Sequence, residues 1–196
     1  MNPFDPDEFV QSCIAALRED DPVGAIRDIV QRAVREPRSV EQTVTIPLDP
    51  DDLPLLHQAE DLLIAQAVFP RGYQTGIHGH SVPAIIGVWA GYEDNLLYER
   101  VDGGLRARAV ERVGAGEVLV LEADGVHDVH TPPTTWSGAI HVYLGDITAI
   151  ERDFWTSKDS PPVPFDMKQH NGRWDEVALA TGLLKVPAES VRNVEE

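Results

Sequence analysis

The sequence predicts a mainly β domain, an all-β sandwich or barrel, preceded by two amphipathic helices. From Val40 onwards, short apolar stretches alternate with glycine, proline and aspartate turns, a pattern typical of many short strands. The clearest passage is GAGEVLVLEADGVHDVH, in which a glycine turn, an apolar strand and an Asp124–Gly125 turn follow one another. The residues before Val40 instead carry apolar side chains at helical spacing.

Two helices are predicted before Pro37. The first has its apolar positions at Phe9, Cys13, Ile14 and Leu17, and the second at Ala25, Ile26, Ile29, Val30, Ala33 and Val34. Asp21 is suited to cap the second helix and Pro22 to occupy its first position. Because each helix has one apolar face, we expect the pair to pack on the outside of the β domain.

The strands are expected near residues 42–47, 62–69, 83–90, 95–101, 105–112, 118–122, 127–130 and 137–144. Beyond them we expect a short helical turn within 146–155, an extended proline-rich arm over 157–166 and a short helix over 176–184. The predicted organisation is therefore an N-terminal helical segment (1–38), a barrel (39–155) and a C-terminal arm packed on that barrel (156–196).

Composition limits the classes of partner. The chain has 196 residues and a formal net charge of -17, and such a surface repels nucleic-acid phosphates and anionic lipids. No apolar run is long enough to span a bilayer, and acidic residues stand where a secretory signal would carry positive charge. The single cysteine, Cys13, permits no intrachain disulfide. We expect a cytoplasmic monomer or small homo-oligomer without nucleic-acid or membrane partners.

Two of the seven histidines form an H-x-H pair, His78 and His80. Residues two apart on a strand point to the same face, so these imidazoles can converge on one metal ion. A pair of surface or hydrogen-bonded structural histidines is the alternative. His57 and His170, in a proline- and aspartate-rich stretch and in the C-terminal arm, are expected at the surface.

A third imidazole is available from a strand remote in sequence. His127 follows the Asp124–Gly125 turn, and His130 is the competing candidate in the same strand. Regular alternation places His127 and His130 on opposite faces, so only one of them is expected to face the H-x-H pair.

His141 and Tyr143 are also two residues apart on one predicted strand. Facing inward beside a metal, they would be proton donors or would stabilise an oxyanion. The alternative is a polar cluster whose hydrogen bonds are satisfied inside a small barrel.

The glycines around the H-x-H pair complete a longer pattern. Gly72 precedes His78 with five residues between them, and Gly91 follows His80 by eleven positions. This spacing resembles the first motif of the cupin superfamily, G-x5-H-x-H-x3,4-E-x6-G, and specifically that of the thiol dioxygenases, cysteine dioxygenase and bacterial 3-mercaptopropionate dioxygenase. The usual glutamate is replaced within Pro83–Ile85, and its absence is typical of thiol dioxygenases, which hold iron with three histidines.

Two further blocks extend the resemblance. GAGEVLVLEADGVHDVHTP is similar to the second cupin motif, which implies that His127 is the third iron ligand. GAIHVYLGD is similar to the family's S-x-H-x-Y segment, with His141 and Tyr143 preserved. Ala139 stands in place of the family serine, so the hydrogen-bond relay is shortened.

Arg152 lies nine residues after Tyr143, about where the 3-mercaptopropionate enzymes place the arginine that pairs with the substrate carboxylate. The Cys–Tyr crosslink of mammalian-type cysteine dioxygenase would need a thiol near Ala84, and the only thiol is Cys13. A solvated charge cluster, Glu151–Asp153, is the alternative environment for the arginine.

The resemblance implies a cupin double-stranded β-helix barrel (jelly roll) with N-terminal helices packed outside, and an Fe(II) enzyme that uses dioxygen to oxidise a small thiol to its sulfinate. The implied site comprises the metal ligands His78, His80 and His127, the catalytic pair His141 and Tyr143, and the substrate-binding Arg152. Two alternatives remain open: another metal-dependent cupin reaction (carbon–carbon cleavage by a dioxygenase, an isomerase or a lyase), and a small-molecule-binding cupin without turnover.

Overall fold

The computed structural model describes residues 4–44, 54–172 and 174–182, and within them it places eleven strands in two antiparallel sheets. The strands are β1 (Leu55–Ala59), β2 (Leu62–Phe69), β3 (Ile77–Gly79), β4 (Ala84–Ala90), β5 (Tyr92–Val101), β6 (Gly104–Gly114), β7 (Glu117–Leu121), β8 (Val126–His130), β9 (Ser137–Tyr143), β10 (Asp153–Trp155) and β11 (Val163–Pro164). The helices are α1 (Pro6–Ala16), α2 (Pro22–Val34), α3 (Pro37–Glu41), α4 (Met167–Asn171) and α5 (Trp174–Ala180).

The strand order confirms the predicted mainly β barrel of the jelly-roll type. One sheet has the order β1-β2-β9-β4-β7 and the other β11-β10-β3-β8-β5-β6. Most neighbours in each sheet, such as β2 and β9 or β3 and β8, come from distant parts of the chain, as in a double-stranded β-helix. This winding brings β3 beside β8, and therefore the H-x-H segment beside the strand that carries His127.

The N-terminal helices pack on the outer face of the five-stranded sheet, as predicted. Asp21 caps α2 by accepting a hydrogen bond from the Gly24 amide at 2.9 Å. Val30 and Val34 are fully buried against the sheet. A Cβ at Gly87 in β4 would lie 2.3 Å from Val30 Cγ1, so the close approach of α2 to the sheet depends on a glycine at this position.

Strand β9 is buried on both faces because the helices cover one side and the second sheet the other. Ile140 and Val142 belong to the core shared with α1 and α2. The alternate residues, His141 and Tyr143, therefore point into the barrel. This explains why β9 has no exposed position although it carries polar side chains.

Several local predictions were wrong, and each error concerns long-range pairing or a short segment. Residues 42–44 form a turn after α3 rather than the start of a strand, and the remainder of the predicted 42–47 strand lies outside the described residues. Strands β1, β3, β10 and β11 and helix α3 lie outside the predicted strand and helix ranges. The expected helical turn within 146–155 is confined to a turn that begins at Asp146, after which β10 pairs with β3.

In the C-terminal arm, α4 was not predicted. Helix α5 begins two residues before the helix predicted over 176–184, and the end of that predicted range lies beyond the described residues. Hydrogen bonds between the arm and the barrel include one from the Trp174 indole to the Val68 carbonyl at 2.9 Å and one from the Tyr73 hydroxyl to the Asn171 carbonyl at 2.8 Å. Among the helices of the described residues, none combines the length and apolar character that a membrane span needs.

Candidate metal centre

His78, His80 and His127 meet inside the barrel. His78 and His127 are directly paired across β3 and β8, and His80 follows the end of β3 on the same face. One ring nitrogen from each histidine forms a set in which all atoms lie within 4.8 Å of one another. All three side chains are buried. Of the two candidates in β8, it is therefore His127 and not His130 that lies with His78 and His80.

Hydrogen bonds fix the tautomers of His78 and His127. The Nδ1 of His78 donates to the Gly76 carbonyl at 2.9 Å, and the Nδ1 of His127 donates to Oδ1 of Asn95 at 2.9 Å. Each Nε2 therefore carries a lone pair. Such partners on the far nitrogen are typical of metal-binding histidines, since they fix the tautomer and the ring orientation.

The cluster fits a metal ion by two further observations. The Nε2 atoms of His78 and His80 are 3.1 Å apart, and two nitrogens bound at right angles to one ion at ~2.1 Å would lie about 3 Å apart. The Nε2 of His127 is buried and has no hydrogen-bond partner among the described residues. A buried lone pair without a donor is costly, and a cation would satisfy it.

Burial also keeps these imidazoles neutral. Loss of hydration holds the pKa of His78 and of His80 well below the usual value, and lowers the pKa of His127 to about 3. Neighbouring histidines add to the shift, because each disfavours a positive charge on the others. Neutral imidazole is the form that binds metal, so the site needs no deprotonation at neutral pH.

His141 and Tyr143 form a hydrogen-bonded pair at the wall of the same chamber. The Nδ1 of His141 and the Tyr143 hydroxyl are 2.9 Å apart, and the Tyr143 ring centroid lies 5.1 Å from that of His80. Burial raises the pKa of Tyr143 to about 12 and lowers that of His141 to about 4. At neutral pH the pair therefore consists of a protonated phenol and a neutral imidazole.

Arg152 is buried, at 8% exposure, rather than part of a solvated charge cluster. Its Nε donates to the Ile147 carbonyl at 3.0 Å, and its guanidinium carbon lies 3.3 Å from the centroid of the Phe165 ring. Among the described residues no carboxylate forms an ion pair with it. Burial lowers its pKa to about 10, so the group remains a cation at neutral pH.

A cavity of about 80 Å³ joins these groups. Its lining includes His78, His127, His141, Tyr143, Arg152 and His170. A wider groove of about 950 Å³ lies outside it and shares Ile147, Arg152, Phe165 and Met167 with its wall. The unpaired guanidinium therefore lies between the groove and the histidine cluster.

The three remaining histidines differ in their position relative to the cluster. His130 is 41% exposed, and its Nε2 lies 3.3 Å from Oδ2 of Asp128, away from the cluster. His57 lies in the edge strand β1. The prediction that His170 lies at the surface was wrong, since its ring centroid is 4.3 Å from that of His78.

Sequence reasoning also missed Gly76 and Asn95, the hydrogen-bond partners of two of the clustered histidines. Neither belongs to a recognisable spacing motif. Asn95 stands two residues before Leu97, which pairs with His127 across β5 and β8, so only the strand register could have revealed it.

Comparison with known proteins finds no matching family model and no matching curated protein. Similar solved structures include oxalate oxidase in complex with glycolate (19% identity, TM-score 0.39), covering 43% of this chain and 42% of that one. They also include a double-stranded β-helix protein from Klebsiella pneumoniae (13% identity, TM-score 0.44; 55% and 82%) and an RmlC-like cupin from Methanocaldococcus jannaschii (13% identity, TM-score 0.41; 53% and 90%). The described topology itself, two antiparallel sheets with the strand orders given above, is that of a double-stranded β-helix.

Proposed function

We propose that the chain is a metal-dependent cupin oxygenase that acts on a small anionic thiol and converts it to the sulfinate. The observation that carries the proposal is the shared chamber, whose wall includes two imidazoles of the buried three-histidine cluster, His78 and His127, and a buried arginine that has no carboxylate partner among the described residues. The histidine cluster suits a metal ion, and the arginine suits an anion.

His78, His80 and His127 would hold the metal, for which we propose Fe(II). When bound, the ion would supply activation of a thiolate and of dioxygen. Because three neutral imidazoles cancel none of the metal's charge, this ligand set favours an anionic partner more strongly than a set that contains a carboxylate. Coordination to a cation also lowers the pKa of a thiol.

Arg152 would bind the carboxylate of the substrate. Its Nε is already occupied by the Ile147 carbonyl, which leaves the terminal NH2 groups for a charge-assisted contact. Stacking on Phe165 fixes the plane of the guanidinium. The substrate would therefore be held at one end by Arg152, with its sulfur directed towards the histidine cluster.

Tyr143 would donate a hydrogen bond into the reaction chamber. Its raised pKa keeps the proton on the phenol, and His141 orients the hydroxyl. Since the family serine is Ala139 here, the relay ends at His141, whose Nε2 has no hydrogen-bond partner among the described residues.

The chamber limits the size of the reacting group. A volume of about 80 Å³ is well below the roughly 300–1,000 Å³ of typical ligand pockets. It suits a thiol with a short carbon chain. In the overall reaction, RSH + O2 gives RSO2H: both oxygen atoms are transferred to sulfur, which loses four electrons, and dioxygen gains four.

The direct experiment measures oxygen consumption by the iron-loaded protein with a panel of small thiols that differ in the carboxylate, combined with detection of the sulfinate. We expect uptake of one O2 per sulfinate formed, with thiol acids preferred over their neutral analogues. Substrate conversion without oxygen would indicate an isomerase or lyase instead. Absence of thiol-dependent uptake at full iron loading would refute the proposal.

A further inference from the structure

The C-terminal segment Val163–Asn171 carries an unexpected imidazole to the histidine cluster. The ring centroid of His170 is 4.3 Å from that of His78, with the two planes at 86°. The corresponding distances from His78 are 4.9 Å to His80 and 4.7 Å to His127. His170 is therefore at least as close to this ring as the other two members of the cluster are.

One residue, Gly76, holds both His170 and His78. Its amide donates to the His170 carbonyl at 2.9 Å, while its own carbonyl accepts the hydrogen bond from Nδ1 of His78 at 2.9 Å. A Cβ at Gly76 would lie 2.2 Å from the Phe154 ring and 3.4 Å from Cα of His170. A glycine is thus needed for the segment to come this close to β3.

The ring of His170 is held on its other sides as well. Its Nδ1 is 2.9 Å from Oδ1 of Asn171, and the ring centroid lies 5.2 Å from that of Phe165. Since the amide oxygen accepts, Nδ1 carries the proton. The two ends of the short helix are also held: Asp166 caps the Gln169 amide at 2.8 Å, and Tyr73 donates to the Asn171 carbonyl.

We propose that His170 is a positioning residue of the metal centre, which fixes the ring plane of His78 by packing edge to face against it. Besides the hydrogen bond to Gly76 and the close approach of the His80 Nε2, the His78 ring contacts the rings of His80, His127 and Phe165. Of these aromatic neighbours and His170, His170 has the shortest centroid distance and the plane closest to perpendicular. The segment that carries His170 also closes one side of the chamber. His170 is not in the set of mutually close ligand nitrogens, so its action is through His78.

The test is metal binding by the apoprotein, which needs no thiol turnover and so remains informative if the proposed reaction is wrong. We expect H170A to raise the Kd for Co(II) about 10-fold, in the range found when partners of metal ligands are removed. H170F, which keeps an aromatic ring, should bind nearly as tightly as wild type. The matched control is Q169A, on the exposed side of the same helix.

A second readout separates positioning from direct ligation. Pulsed EPR of the Cu(II)-loaded protein counts the coordinated imidazoles, and we expect three in the wild type and three in H170F. Four in the wild type, or a Kd for H170F as weak as that of H170A, would show that a nitrogen of His170 acts directly and would overturn the proposal. An unchanged Kd for H170A would overturn it as well.

Discussion

Asn95 and His127 are joined by a hydrogen bond of 2.9 Å between the amide Oδ1 and the imidazole Nδ1, and both side chains are buried. The amide thereby directs Nε2 of His127 towards His78 and His80. Replacing Asn95 with alanine should weaken metal binding about 10- to 100-fold, because the tautomer and the ring plane lose their support. Isothermal titration of the apoprotein with Co(II) measures the change.

The variant N95D is the matched comparison for this prediction. A carboxylate keeps an acceptor for Nδ1 and should retain most of the affinity. If N95A and wild type bind Co(II) equally well, the hydrogen bond does not orient a metal ligand.

Substitution of Arg152 tests the anion site. R152Q removes the cation while keeping a polar side chain, and we expect KM for a thiol acid to rise about 10- to 100-fold, since a hydrogen bond to a charged group contributes roughly 1.5–3 kcal/mol. KM for the neutral analogue of the same thiol should change little. R106Q, which removes an exposed arginine paired with Glu99, is the control. Equal effects on both substrates would contradict the assignment.

Loss of the Tyr143 hydroxyl should affect turnover rather than binding. We expect Y143F to lower kcat about 100-fold, as for loss of a positioned proton donor, with metal content and KM close to wild type. Steady-state oxygen uptake together with metal analysis measures both quantities. Y92F is the control, because Tyr92 stacks with Arg112 away from the chamber. A kcat for Y143F equal to wild type would exclude the hydroxyl from the reaction.

Glu93 makes stability depend on pH. The side chain is fully buried with one hydrogen bond, from Ser137 Oγ at 2.8 Å, and burial raises its pKa from 4.5 to about 7. Between these pH values the folded state holds a proton that the unfolded state has lost. The contribution of the protonated group is therefore complete below pH 4.5 and is lost as pH rises through about 7.

Urea unfolding of wild type and E93Q measures this effect, because the amide does not titrate. Relative to E93Q, the wild type should lose on the order of 3 kcal/mol of unfolding free energy between pH 4.5 and pH 8. A difference between the two proteins that is constant over this range would show that Glu93 titrates normally.

The contact between α2 and the sheet gives a prediction about stability alone. G87A places a methyl group against Val30 and Val34, and overpacking of this kind costs about 1–3 kcal/mol. In G114A the new Cβ makes only an ordinary contact with Glu117, which makes it the control. Thermal unfolding should separate the two variants, and equal Tm values would show that α2 can shift at little cost.

The sequence was sufficient for features that repeat locally. Residues two apart on a strand share a face, which places His78 with His80 and His141 with Tyr143, and the turn before His127 marks the start of its strand. The fold does bring these side chains together. The two long helices were predictable because their apolar faces and proline-led starts are local signals.

The remainder depends on contacts between segments far apart in the chain. Asn95 reaches His127 only through the register of β5 and β8, and β10 exists because β3 and β11 supply partners. The arm was expected to pack on the barrel, but His170 lies in a polar five-residue helix without a long apolar pattern, so nothing near it in sequence indicates that its imidazole reaches the histidine cluster.

The burial of Arg152 within a chain of net charge -17 has a consequence for kinetics. The proposed anionic substrate would approach through a repulsive field before it reaches the buried guanidinium of Arg152. Added salt screens the long-range repulsion much more than the enclosed ion pair. The second-order rate constant for capture should therefore increase with ionic strength, the reverse of the behaviour of an enzyme that gathers anions with an exposed basic surface.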